Sequence, residues 1–254
     1  MSVLVVIPAR YASVRFPGKP LALLQGKPMI QHVYERAARA TGIDEVVVAT
    51  DDERIAGAVA RFGGRAAMTS PSAKSGTDRV AEVARTRNAE VVINVQGDEP
   101  LMHPDMVGQL AELLTRHQAI PIASLMTKFA RAEEIDSPNI VKVVTDRDGF
   151  ALYFSRAPIP FERANRPTGP PASHYYYKHL GIYGYQRHFL LQFPHLEPTP
   201  LEQLEQLEQL RALEHGYRMK LLETPYDTIG VDTPGDLARV EQHLTGLRQV
   251  TSDR

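Results

Sequence analysis

The chain has 254 residues, of which 43% are apolar, with a formal net charge of −1 and no cysteine. That is enough apolar side chain for a substantial core, and too little net charge to draw the whole molecule to nucleic acid or an acidic membrane. The lack of cysteine excludes a disulfide framework and thiolate metal sites, and it fits a reducing, cytoplasmic compartment.

Val3–Ile7 is a continuous aliphatic run, the pattern of a parallel strand covered on both faces. No basic segment precedes it and it stops at Pro8, so it reads as a strand and not a signal peptide. Nowhere does an apolar run approach the roughly 20 residues of a membrane span. Pro28 stands where a first helical residue would, followed by Ile30, Val33, Tyr34, Ala37 and Ala38 at helical spacing, with Gly42 as the stop. Val46–Ala49 is the next strand. Ile55, Val59 and Phe62 mark a second helix closed by Gly63-Gly64, and Thr77 is placed to cap a third through Val80, Val83 and Ala84. Val91–Val95 is a third core strand, followed by a helix through Met106, Leu110 and Leu113. Alternation of this kind predicts an α/β fold with an open, mostly parallel, Rossmann-like sheet and helices on both faces.

After about residue 120 the pattern changes. "NIVKVVTDRDGFALYFS" reads as two strands around an Asp-Arg-Asp-Gly turn. Residues 157–173 read as a proline-rich surface loop, and "KHLGIYGY" as another strand. Residues 1–245 are therefore expected to form a single domain, with an antiparallel β insertion at about 123–185. Thr233-Pro234 opens a last helix, and 246–254 is expected to be a frayed tail.

"LEQLEQLEQLRAL" has a strict period of three. On one helix, at about 100° per residue, each leucine steps back about 60°, so Leu201, Leu204, Leu207, Leu210 and Leu213 cannot share a face. Glu208 then falls between Leu201 and Leu204. A carboxylate there must be paired, with Arg211 the nearest cation, or used by a ligand.

In open α/β sheets ligands bind beyond the carboxyl ends of the strands. "PARYASVRFPGKP" lies there, with Arg10, Arg15 and Lys19 but a single glycine, Gly18. "SGTDR" (residues 75–79) offers a helix N-terminus to an anion or a base edge. "NVQGDEP" sets Gln96, Asp98 and Glu99 past a core strand, and "GVDTP" repeats the arrangement with Asp232 after Ile229–Val231. Asp98 suits Mg²⁺, which takes few protein oxygens, or is a turn residue beside Gly97. A cationic loop with two strand-end carboxylates points to phosphoryl or nucleotidyl transfer, chemistry dominated by positioning and charge neutralisation. The sequence contains no G-x-G-x-x-G, no Walker A motif, no G-x-S-x-G and no H-E-x-x-H. His179, in an apolar strand beside Lys178, is as a lone strand histidine more often structural.

Taken in order, "IPARYASVRFPGKPL", "VATDDERI", "SGTDRVAE", "NVQGDEP", "ALYFSRAPIP", "KHLGIYGY", "LEQLEQLR" and "GVDTPGDL" resemble the 3-deoxy-manno-octulosonate cytidylyltransferases, the CMP-Kdo synthetases of lipopolysaccharide biosynthesis. The first motif is shared with other sugar nucleotidyltransferases; "KHLGIYGY" with "LEQLR" is specific. The resemblance runs from Val3 to about Leu244. It implies a homodimer, formed through the insertion, that joins CTP and Kdo into CMP-Kdo and diphosphate with Mg²⁺ and binds no nucleic acid and no membrane. It implies Arg10, Arg15 and Lys19 on the triphosphate, and Ser75, Gly76, Arg79 and Gln96 on the nucleotide. Asp98 and Asp232 would be the magnesium carboxylates. Gln96, Arg156, His179, Tyr183, Glu208 and Gln209 match positions lining the sugar site. Phe16 and Val14 depart from the family's usual leucine and hydroxyl residue. An 8-amino analogue of Kdo, another acidic sugar as acceptor, and a catalytically silent nucleotide-binding regulator are the alternatives.

Overall fold

A computed structural model describes residues 1–12, 15–163 and 176–252, the last seven as backbone only. Val14 and most of the proline-rich loop lie outside the described residues. In chain order the strands are β1 (Val3–Ala9), the short β2 (Leu23–Leu24) and β3 (Lys27–Pro28), β4 (Glu45–Thr50), β5 (Ala66–Met68), β6 (Val91–Asn94), β7 (Ile122–Lys128), β8 (Lys142–Thr145), β9 (Ala151–Ser155), β10 (Tyr177–Gln186) and β11 (Met219–Glu223). The helices are α1 (Met29–Ala37), α2 (Glu53–Arg61), α3 (Gly76–Arg85), α4 (Pro104–Arg116), α5 (Arg187–Gln192), α6 (Pro200–Glu205), α7 (Gln209–Glu214) and α8 (Pro234–Ser252).

The main sheet has the order β11-β7-β10-β6-β1-β4-β5. β1 pairs in parallel with β4 and β6, β4 with β5, and β11 with β7. β10 alone on this path runs against its neighbours, β6 and β7. β8 adds antiparallel to β10 and makes a hairpin with β9. The turn of that hairpin has Gly149 at φ 75°, where a side chain would be strained.

The aliphatic run of β1 is continuous because both its faces are buried. Val3, Val5 and Ile7 pack in a cluster with α1 and α4 residues such as Ile30, Val33, Met106 and Leu110. Leu4 and Val6 point the other way, into a cluster with Val80, Val83 and Phe189 from α3 and α5. This is period-two alternation with both layers apolar. The chain lays β4 and β5 on one side of β1 and then crosses to β6 on the other. The crevice at this reversal is where ligands of such sheets bind.

Several expectations are corrected. Ser75, not Thr77, is the N-cap of α3, in a capping box with Asp78: the Ser75 hydroxyl accepts from the Asp78 N–H while the Asp78 carboxylate accepts from the Ser75 N–H. The leucine repeat is not one helix. Gln206, at φ 53°, ends α6 and resets the phase before α7. Leu207 and Leu210 are thereby buried while Leu204 is 81% exposed. Residues 229–231 form no strand; the Val231 N–H instead bonds the Asp98 carbonyl at 2.9 Å. The backbone of residues 246–252 continues α8.

Candidate active site

The opening loop leaves β1 at the crevice. The Gly18 N–H closes it on the Tyr11 carbonyl at 2.9 Å, with Gly18 at φ 71°. A Cβ at Gly18 would also come within 3.2 Å of the Tyr11 ring. The left-handed turn at Gly18 starts a short 3₁₀ turn at Lys19, whose side chain points inward. Lys19 Nζ reaches Asp98 Oδ2 at 2.7 Å and Asp232 Oδ1 at 3.4 Å. Arg15 adds a 3.0 Å contact to the same Asp232 oxygen. Residues 15, 19, 98 and 232 thus converge on one point although they are scattered along the chain. Two elements deliver the carboxylates: the turn after β6, and the irregular segment held to that turn by the Val231–Asp98 backbone bond. Gly97 lets the turn sit close, since a Cβ there would come within 2.8 Å of the Pro8 carbonyl oxygen.

Arg10 donates to the Ala73 carbonyl at 2.8 Å, tying the opening loop to the segment before α3. Gly76 approaches the Pro8 ring, which brings Ser75 and the N-terminus of α3 to the same rim. Arg79 does not join them. It faces inward from α3, is fully buried, and donates to Asp51 at 2.9 Å, to Thr69 and to the Ser70 carbonyl. The guanidinium of Arg79, expected on the nucleotide, ties β4 to the loop before α3. Asp51, the first carboxylate after an apolar strand, is its ion-pair partner.

A second group gathers beside the first, over β10. His179 is 8% exposed and its Nε2 lies 2.9 Å from the Ser124 hydroxyl. That hydroxyl has a single proton and faces the Ile182 and Leu180 carbonyls at 2.7 and 3.1 Å, which can only accept. His179 Nε2 is therefore the donor and Nδ1 the free acceptor. Burial lowers the His179 pKa to about 3, so the ring is neutral. Phe154 meets it edge-on at 4.8 Å and Tyr183 at 5.5 Å. Burial, with the Glu208 and Glu99 carboxylates nearby, pushes the Tyr183 phenol up.

Glu208 stands just before α7 and is partly buried, and desolvation raises its pKa. Arg211 is not its partner, because Arg211 makes a two-pronged bond to Glu202 at 2.5 and 2.8 Å. Thr77 donates to Glu208 Oε2 at 2.5 Å instead. A cleft of about 700 Å³ runs past Ser75, Asp78, Glu208 and Arg211. Gln209 is buried in the first turn of α7. Arg156 donates to the carbonyls of Glu205, Gln206 and Pro138, which fixes its guanidinium against the α6–α7 break. The side chain of Gln96 packs by Gly181, as does Glu99. Burial, then the Asp98 charge, raises the Glu99 pKa to about 8, and its Oε2 has no partner among the described residues. Ser124 and Thr77 were missed as site residues. Ser124 left one signal, a hydroxyl inside the apolar run Ile122–Met126.

A crevice at the reversal of a parallel sheet, holding cations and two carboxylates, belongs to the architecture of the nucleotidyltransferases. The architecture matches 4-diphosphocytidyl-2C-methyl-D-erythritol synthase from Anaerococcus prevotii with a TM-score of 0.61 at 13% identity, covering 96% of this chain and 98% of that one, a likeness of fold alone. Residues 4–221 match the cytidylyltransferase family model. The 3-deoxy-manno-octulosonate cytidylyltransferase of Syntrophotalea carbinolica is 54% identical over 97% of this chain and all of its own. That of Geobacter sulfurreducens is 51% identical over 96% of this chain and all of its own. The structure of CMP:2-keto-3-deoxy-manno-octonic acid synthetase complexed with CTP superimposes with a TM-score of 0.90 at 44% identity, over 97% of this chain and 99% of that one. The chain belongs to the 3-deoxy-manno-octulosonate cytidylyltransferase family.

Proposed function

We propose that this enzyme activates Kdo, converting CTP and Kdo to CMP-Kdo and diphosphate for lipopolysaccharide assembly. The observation that carries the reading is the convergence of Lys19, Asp98 and Asp232 in the crevice between β1 and β6. The anomeric hydroxyl of the sugar attacks the α-phosphorus of CTP in line. The new bond joins the sugar oxygen to that phosphorus, the bond to the β-phosphate oxygen breaks, and the hydroxyl proton leaves to solvent.

Asp98 and Asp232 fit a divalent cation. Both are partly exposed carboxylates sharing one ammonium, a small set of hard oxygen donors of the kind Mg²⁺ takes alongside phosphate and water. Bound there, the ion supplies Lewis acidity toward the attacking hydroxyl and a template for the phosphates. Arg10 and Arg15 orient the triphosphate, and Lys19 faces the charge that develops on the departing diphosphate. Ser75, Gly76 and Gln96 bound the nucleotide. His179 Nδ1, Tyr183, Glu208 and Gln209 receive sugar hydroxyls. The N–H groups of Arg156 not bound to carbonyls meet the sugar's own carboxylate. A cytoplasmic homodimer completes the reading, supported by the exposed Leu152 and Leu204 on adjoining elements.

The test is diphosphate release with CTP and each of Kdo, its 8-amino analogue and other acidic sugars, with and without Mg²⁺. Release with Kdo and Mg²⁺ is expected, and preference for another acceptor would overturn the substrate assignment. Asp98→Asn should abolish turnover while weakening CTP binding less. Near-normal Mg²⁺-dependent activity in that variant would sink the metal role.

A further inference from the structure

We infer that Thr77 is a positioning residue that aims the Glu208 carboxylate at the sugar. The inference rests on the reading that Glu208 binds the acceptor.

Glu208 comes from the segment between two short helices, a poor anchor for a ligand-binding side chain. It is also partly buried, and a carboxylate drawn out of water without donors is costly. Thr77, in the first turn of α3, donates its hydroxyl proton to Glu208 Oε2 at 2.5 Å across 131 residues of sequence. Thr77 is itself buried, 4% exposed, in the first turn of a helix capped by Ser75.

The single Thr77 proton is committed to Glu208, and its anchor is the first turn of a capped helix. Glu208 is thereby fixed to the same helix end that forms the rim of the nucleotide crevice, and it lines the cleft of about 700 Å³. Sequence spacing could not show this, because Thr77 reads as a helix-start residue.

The experiment compares Thr77→Val, Thr77→Ala, Thr77→Ser, Glu208→Gln and the double variant Thr77→Val/Glu208→Gln, with melting temperature as the folding control. Thr77→Val keeps the shape and removes the hydroxyl. It should raise the KM for the sugar about tenfold, the scale of one lost bond to a charged group, with the KM for CTP nearly unchanged. Thr77→Ser should restore the sugar KM. Thr77→Ala should raise it as Thr77→Val does, and this variant decides the matter if Thr77→Val fails to fold. In the Glu208→Gln background, Thr77→Val should add nothing, because the two act as a unit. An unchanged sugar KM in well-folded Thr77→Val overturns the inference, as does an equal effect of Thr77→Val with and without Glu208. An unchanged sugar KM in Glu208→Gln instead sinks the assignment of Glu208 to the sugar.

Discussion

At the scale of single residues, Lys19 and His179 show two ways of fixing charge. Lys19 is held between Asp98 and Asp232. Lys19→Met removes a charge contact to the developing diphosphate, and by analogy with an oxyanion donor the barrier should rise by roughly 3–4 kcal/mol. Steady-state kinetics check it, and a loss confined to the KM for CTP would make Lys19 a binding residue only. The same variant removes the cation that competes for the two carboxylates, so Mg²⁺ affinity without nucleotide should increase, as read by calorimetry. His179 is charge-free by burial. Its folded pKa is about 3, against about 6.5 in the unfolded chain. Between those values the unfolded chain binds the extra proton, so stability falls as pH drops through that window and is unaffected above it. His179→Gln keeps a donor for Ser124 and cannot titrate. It should flatten the acid limb by up to roughly 1.4 kcal/mol per pH unit. Urea unfolding at pH 7 and pH 5 checks this: an equal difference from the parent protein at both values would clear His179 of the effect.

At the scale of elements, the close contact of two loops is the vulnerable point. Gly97→Ala puts a methyl against the Pro8 carbonyl, a backbone atom that cannot swing aside. The opening loop and the Asp98 turn should separate, with activity falling by more than tenfold, a loss on the scale that misplacing reacting groups produces. Parallel kinetics and thermal melts check it, and unchanged turnover would mean that the two loops need not touch. The same elements show what a sequence can tell. β1, β4 and β6 were legible because burial on both faces leaves an unbroken aliphatic run. The carboxylates of Asp98 and Asp232 were legible from their flanking glycine and proline turns, though the strand expected before Asp232 is absent. The break at Gln206 was not legible. Glutamine rarely adopts φ 53°, and the unbroken repeat hid the change of phase. Partners distant in sequence were equally hidden: Arg79 with Asp51, Arg211 with Glu202, Thr77 with Glu208. Such pairs are set by which way a helix face turns, and spacing within one element cannot report that.

At the scale of the molecule, two of the several large apolar side chains left exposed lie on adjoining elements. Leu152 on β9 is 62% exposed and Leu204 on α6 is 81% exposed. Their elements are joined through Ser155 and Glu205 at 2.6 Å. Light scattering at micromolar concentration should give a dimer, and Leu152→Asp with Leu204→Asp should shift it toward monomer. A monomeric parent protein would count against the assembly.

The segment carrying Asp232 has a consequence for synthesis. It follows the last strand of the sheet and is held by the Val231–Asp98 bond. All strands of the sheet and Asp98 are therefore encoded before Asp232, which arrives only with the closing segment and α8. That segment also supplies Val231 and Val240 to a core cluster with Leu24 and Met29, so loss of the last thirty or so residues would strip the crevice of a carboxylate and the fold of part of its core together.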